Sequence, residues 1–187
     1  VLEKSDILFK QGQVVDGLYI LRSGSFKYVY NDPRKSQPKV LEFFLSGDIM
    51  GLDSLHLSKY SGTLIALECS SVCRISHKKL LSVLPSTPSL LHDLVTTMSQ
   101  MNERVVWRTY ESLNAQERIL TLMQRFSKHA QDSGQSGSNF NFPVSKQDMA
   151  NYLGLTQETV SRQLALLRKQ NILNIQQKQV EFDCEVI

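Results

Sequence analysis

A chain of 187 residues has room for one large domain or two small ones with a full hydrophobic core, and 41% apolar and 21% charged residues are ordinary for a globular protein. A formal net charge of +3 excludes a strongly basic coat. Residues 115–187 hold eight Lys or Arg against seven Asp or Glu, so affinity for any polyanion would have to come from the local placement of Lys146, Arg162, Arg168 and Lys169. No run approaches the ~20 apolar residues of a bilayer span, and no secretory signal opens the chain, so a cytoplasmic protein is expected. Three cysteines, Cys69, Cys73 and Cys184, are too few for a disulfide scaffold. The chain begins at Val1 directly before a strand-like segment, which leaves room for a preceding piece.

From Asp6 to about Ser76 short strands alternate with turns. Ile7 to Phe9 precedes Gly12, and Leu18 to Arg22 is followed by Ser23-Gly24 and Ser25 to Tyr30, in which Phe26, Tyr28 and Tyr30 alternate with smaller or polar residues; that reads as a β-hairpin. Val40 to Leu45 is a further strand, and Leu64 to Ile75 one long strand region. Such spacing with few helices predicts a small antiparallel β-barrel or roll over residues 1–85. His77 to Leu84 is a short amphipathic helix stopped by Pro85. After Pro88 a helix runs to about Leu113, with Leu91, Leu94, Met98, Met101 and Val105 spaced by 3 and 4 as in a packing seam. Such a stripe packs on its own barrel or on a second chain.

Asn114 with Glu117 three residues on predicts a capping box opening a helix over 115–130, with Ile119, Leu122 and Met123 inward. Gln131 to Asn139, rich in Ser and Gly, is a loop; Phe140 to Val144 reads as a strand and Leu173 to Asp183 as a hairpin or wing. Between them lies SKQDMANYLGLTQETVSRQLALLRKQN. Met149, Ala150 and Leu153 stripe one helix, and Val160, Leu164 and Leu167 the next; Gly154 supplies the turn and Thr156 the second cap, so residues 114–187 predict a winged helix-turn-helix. Glu158, Ser161, Arg162 and Lys169 share the opposite face of the second helix. Any amphipathic helix has a polar outer face. Here, though, Arg can bond guanine O6 and N7 together, Glu accepts from cytosine N4, and Ser pairs with either kind of edge.

These residues resemble the CRP/FNR family of bacterial transcription regulators, and the likeness extends over nearly the whole chain. Glu158-Thr159-Val160-Ser161-Arg162 stands as the Glu-x-x-Ser-Arg of the FNR branch, which implies TTGAT-like palindromic half-sites on double-stranded DNA; Gln163 departs from a usually apolar position, with Leu164 beside it to take over the packing. GLYILRSGSFK and FLSGDIMG resemble the cyclic-nucleotide-binding type of barrel. The family thus implies an α+β chain made of an effector-sensing barrel (1–85), a dimerisation helix (86–113) using Leu91, Leu94, Met98, Met101 and Val105, and a DNA-binding unit (114–187) with a hinge near Leu113 and Asn114. The resemblance further implies base contacts from Glu158, Ser161 and Arg162, supporting contacts from Thr156, Gln157, Thr159, Lys146 and Lys169, and RNA polymerase as a partner through loops 31–38 and 53–62. Cyclic-AMP-binding members carry Gly-Glu for the ribose and Arg-Ser for the phosphate. Here Gly51 is followed by Leu52, and the loop Ser58 to Gly62 has no arginine, which argues against cyclic AMP. In FNR proteins a [4Fe-4S] cluster takes three cysteines from an N-terminal arm and a fourth from a segment resembling LECSSVCRI. Cys73 matches that fourth position, the arm cysteines do not occur in this sequence, and the alternative for Cys73 is a small core residue. On a regular strand Cys69 and Cys73 would stand about 13 Å apart.

Other readings remain open. Scattered His56, His77, His92 and His129 give no metal-enzyme spacing, and no nucleophile elbow or phosphate loop occurs, so an enzyme is not expected. A single histidine such as His56 could still ligate haem. The alternative of another class is a small-ligand-binding regulatory module whose helix-turn-helix contacts protein.

Overall fold

The computed structural model describes residues 1–109 and 113–183, with side chains for all but 107–109; Cys184 and the predicted helix end at 110–112 lie outside the described residues. The chain forms two compact units, Val1–Trp107 and Arg108–Ile187.

In the first unit, β1 (Ile7–Phe9), β3 (Ser25–Tyr30), β4 (Lys39–Leu45) and β6 (Thr63–Ala66) form one antiparallel sheet in the order β1-β6-β3-β4, while β2 (Gly17–Ser23), β5 (Ile49–Met50) and β7 (Ser71–Ser76) form a second in the order β5-β2-β7. The two sheets make a barrel-like roll around Phe9, Tyr19, Leu21, Phe26, Tyr28, Phe44, Met50, Tyr60, Leu64 and Ala66. Gly24 makes the corner from β2 into β3. Its φ of +88° suits glycine, and a Cβ there would stand 2.2 Å from Ser70 Oγ. The expected Phe26, Tyr28, Tyr30 alternation holds only to Tyr28. Beyond it the pairing with β4 shifts register at Leu41, Val29 is buried and Tyr30 exposed.

The region expected as one strand from Leu64 to Ile75 is two strands in different sheets. Leu67 donates its N–H to Ser25 O at 2.9 Å, Ser25 Oγ donates to Glu68 Oε1 at 2.7 Å, and the chain crosses over that corner through Cys69. Cys69 is therefore off the strand that carries Cys73, and the regular-strand separation does not apply. Both thiols are free and exposed. The core-residue alternative for Cys73 is thereby set aside: it stands on β7 opposite Ile20 with its side chain outward.

Helix α1 (His77–Val83) is capped by Ser76 and runs into a single 3-10 turn at Leu84–Ser86 containing Pro85; α2 (Pro88–Thr109) follows. Leu94 of α2 is buried with Leu18, Leu52 and Leu80, and Leu90 and Met101 pack beside it. The expected seam of Leu91, Leu94, Met98, Met101 and Val105 thus divides, because Leu94 and Met101 are committed to the chain's own roll while Leu91, Met98 and Val105 stay exposed.

In the second unit α3 (Ala115–Asp132) opens on the expected capping box, with Asn114 Oδ1 accepting from Gln116 and Glu117 N–H and Glu117 Oε2 accepting from Asn114 N–H at 2.7 Å. α4 (Lys146–Leu153) and α5 (Gln157–Lys169) follow, and β8 (Asn139–Asn141), β9 (Leu173–Gln176) and β10 (Gln179–Phe182) form a sheet in the order β8-β10-β9. β8 is shorter than the expected 140–144. Phe142 still donates to Lys178 O, but Pro143 has no N–H to continue the ladder. Ile119, Met123, Phe126, Phe142, Met149, Val160, Leu167 and Val180 are all buried, with Phe126 edge-on to Phe142 at 4.7 Å.

Candidate nucleic-acid interface and the barrel interior

The helix-turn-helix is built from caps. Ser145 Oγ accepts from Asp148 N–H at 3.0 Å to open α4, a cap not singled out from the sequence. α4 closes on Gly154 at φ 69°, ψ 31°, and Leu155 N–H reaches back to Ala150 O at 2.9 Å, a Schellman closure. Thr156 Oγ1 accepts from Thr159 N–H at 3.1 Å and so opens α5 one residue later. A Cβ at position 154 would meet nothing within 4 Å, so Gly154→Ala carries only the left-handed backbone penalty. The expected outcome is a loss of about 1–2 kcal/mol in chemical denaturation, with the helix content in circular dichroism unchanged.

Buried Met149, Ala150, Leu153, Val160 and Leu167 hold α4 against α5, which fixes the rotation of α5. Its remaining face carries Gln157, Glu158, Arg162 and Lys169 exposed, with Ser161 and Thr159 half-buried; Thr156 and Lys146 are exposed at the two helix starts. Gln163 and Leu164 are both half-buried, so they share the packing at the departure from the motif. Glu158 and Arg162 are one turn apart and form no ion pair among the described residues. Their charges remain available to a ligand.

Sequence reasoning missed Arg118. Its Nε donates to Leu113 O at 3.0 Å and its Nη1 to Leu153 O at 3.2 Å, so one guanidinium ties the segment before α3 to the last turn of α4. A planar fork bridging two carbonyls holds both in place at once. The only sequence signal was an Arg directly after a capping box.

In the barrel, Tyr60 is buried and stacked on Phe9 with ring centroids 3.8 Å apart. Its hydroxyl donates to Asp16 Oδ1 and Gly17 O, both at 2.8 Å, and Asp16 also accepts from Tyr19 Oη and from Arg74 Nη1 at 2.8 Å. Burial alone would raise the Asp16 pKa, yet the bonds from Tyr60, Tyr19 and Arg74 hold it below the usual carboxylate range. Burial, and then the bond to Asp16, pushes the Tyr60 phenol well above its ordinary value. Across the interior Tyr28 Oη donates to Asp53 Oδ2 at 2.6 Å, and Ser61 Oγ bonds the same carboxylate oxygen. The interior is therefore lined here by a carboxylate and an aromatic stack. Among the described residues no three His, Cys, Asp or Glu side chains converge, so they do not fit a four-thiolate iron-sulfur cluster on their own; Cys73 stands exposed on β7. Among the described residues no helix is long and apolar enough to cross a membrane.

Residues 1–86 match the cyclic nucleotide-binding domain family and residues 117–183 the Crp-like helix-turn-helix domain family. The chain is 32% identical over 184 residues to the anaerobic regulatory protein of Pasteurella multocida, covering 97% of itself and 67% of that protein. It is 30% identical to the fumarate and nitrate reduction regulatory protein of Yersinia pestis, covering 97% of itself and 73% of that protein. In fold it is similar to FixK2 of Bradyrhizobium japonicum, with a TM-score of 0.83, 21% identity, and 96% and 89% of the two chains covered. The roll, the capped helix-turn-helix and these relatives agree: the chain is a DNA-binding transcription regulator that belongs to the CRP/FNR family, in its FNR branch.

Proposed function

We propose that the protein acts as a homodimer that reads TTGAT-like palindromic half-sites. Arg162 and Glu158 contact base edges, Ser161 discriminates the half-site, and Lys146, Thr156, Gln157, Thr159 and Lys169 hold the phosphate backbone. The observation that carries this reading is the outer face of α5, where exposed Glu158 and Arg162 stand in the first two turns of a helix anchored on its other face by buried Val160 and Leu167. Fluorescence anisotropy with a duplex bearing two TTGAT half-sites, against a shuffled duplex, tests it. Tighter binding to the palindrome and an affinity that falls roughly a thousandfold between 50 and 200 mM salt are expected for about six phosphate contacts. Equal affinity for the two duplexes would overturn the half-site assignment, and a flat salt dependence would favour a protein partner for the helix-turn-helix.

The signal enters at the barrel and reaches α5 through the junction held by Arg118. Cyclic AMP has no place in this reading, because Leu52 follows Gly51 where the nucleotide-binding pattern has Glu, loop 58–62 carries no arginine, and the Asp53 carboxylate would repel a phosphate. A [4Fe-4S] cluster would use Cys73 with three ligands from outside the described residues. RNA polymerase is the further partner of this reading, through loops 31–38 and 53–62.

A further inference from the structure

Helix α2 carries two stripes where the sequence showed one. Leu90, Leu94, Thr97, Met101 and Arg104 are the shielded positions, spaced 4, 3, 4 and 3. They face the roll, where Arg104 Nη2 meets Asp48 Oδ1 at 3.4 Å, and this fixes the rotation of the helix about its axis. One residue further on, and so about 100° around the helix, Leu91, Val95, Met98 and Val105 are exposed at 52%, 58%, 52% and 44%. Their spacing is 4, 3 and 7. Asn102, also exposed, fills the gap and makes it 4, 3, 4, 3.

That is a heptad seam of two repeats, with Leu91, Met98 and Val105 at one core position and Val95 and Asn102 at the other. A β-branched residue facing Leu or Met in this alternation favours two strands over three. The stripe is thus shaped for one partner helix with the same pattern. We propose that Asn102 sets the register and strand number of pairing between α2 and the α2 of a second copy of this chain, an inference that rests on the homodimer reading above.

The amide decides the geometry because it must find a polar partner once the seam is dry. In a parallel, in-register pair, Asn102 meets Asn102 of the second copy, and carbonyl and NH2 satisfy each other. A slip by one heptad sets it against Val95, and an antiparallel pair sets it against apolar side chains; either leaves a buried amide unpaired, which costs the full desolvation of that group. Only the parallel pair carries both DNA-binding units at the same end. The same amide weakens the dimer relative to an all-apolar seam of ~22 Å. Association therefore stays adjustable by a signal at the roll.

The test uses the full chain. Sedimentation velocity measures the dimer constant of wild type, Asn102→Ile and Gln100→Ile, the last being a change on the polar face of the same helix. Wild type is expected to dimerise, Asn102→Ile to dimerise at least about tenfold more tightly, or to form higher oligomers, and Gln100→Ile to match wild type. Native mass spectrometry of equilibrated wild type mixed with Asn102→Ile is then expected to show heterodimers well below the half given by random pairing, because Asn against Ile is the disfavoured match. Random pairing with an unchanged dimer constant would overturn the role of Asn102 while leaving the homodimer intact. A wild-type chain that stays monomeric with and without palindromic DNA would instead overturn the homodimer reading, and this inference with it.

Discussion

Replacing Arg162 by alanine is expected to remove about 1–3 kcal/mol of discrimination between a TTGAT palindrome and random DNA, which is roughly a 5- to 150-fold loss of specificity. The packing of α5 is untouched, because Arg162 is exposed and the inner face is carried by Val160 and Leu167, both fully buried. Alanine is also the stronger helix former. The loss therefore reports contact chemistry rather than folding. Lys169 lies two turns further along the same face, in the last turn of α5, where a cation favours the helix end as well as a phosphate. Lys169→Ala should weaken specific and random DNA alike and reduce the salt slope by about one. Paired anisotropy titrations on both duplexes at three salt concentrations separate the two roles. Equal loss on both duplexes for Arg162→Ala would place it among the backbone contacts.

The helix-turn-helix was legible because its signals are local. Asn114 with Glu117, Gly154 and Thr156 each act within four residues, and the structure shows each as the cap or turn its chemistry demands. The roll was legible as strands but not as sheets. Nothing local in Leu64 to Ile75 says that the chain changes sheets at Leu67, since that depends on Ser25 O and Glu68 meeting across more than forty residues. The α2 seam divides for a related reason. The spacings 91-94-98-101-105 and 91-95-98-102-105 are both 3-4 patterns, and the first is the more apolar. Apolarity favoured Leu94 and Met101, yet the roll claims them, and the outward stripe includes a polar Asn102 that a hydrophobicity count rejects. Arg118 and the Asp16 cluster were invisible because their partners are carbonyls and phenols supplied by distant segments.

The Tyr60–Phe9 stack inside the roll leads to the largest expected effect. Tyr60 is 1% exposed, stacks on Phe9 and anchors loop 51–62 to the start of β2 through its hydroxyl. Tyr60→Ala should destabilise the first unit by about 3–5 kcal/mol, the cost of removing a buried aromatic side chain that neighbours cannot replace. Hydrogen exchange localises the loss: amides of β1, β3 and β6 should lose protection while those of α4 and α5 keep theirs. Loss of protection in both units, or in neither, would contradict the assignment. Tyr60→Phe isolates the hydroxyl. It keeps the stack and removes one donor from Asp16 and Gly17 O, for a cost of about 1 kcal/mol at neutral pH. The Asp16 carboxyl is depressed in the folded state, so its stabilisation is full above the unfolded value near 3.9 and is lost as pH falls through the lower folded value. The penalty of Tyr60→Phe should therefore shrink as the pH is lowered from about 6 to about 3, read as converging urea midpoints of the two proteins. A penalty that stays constant with pH would assign the bond to the Gly17 carbonyl and leave Asp16 to Tyr19 and Arg74.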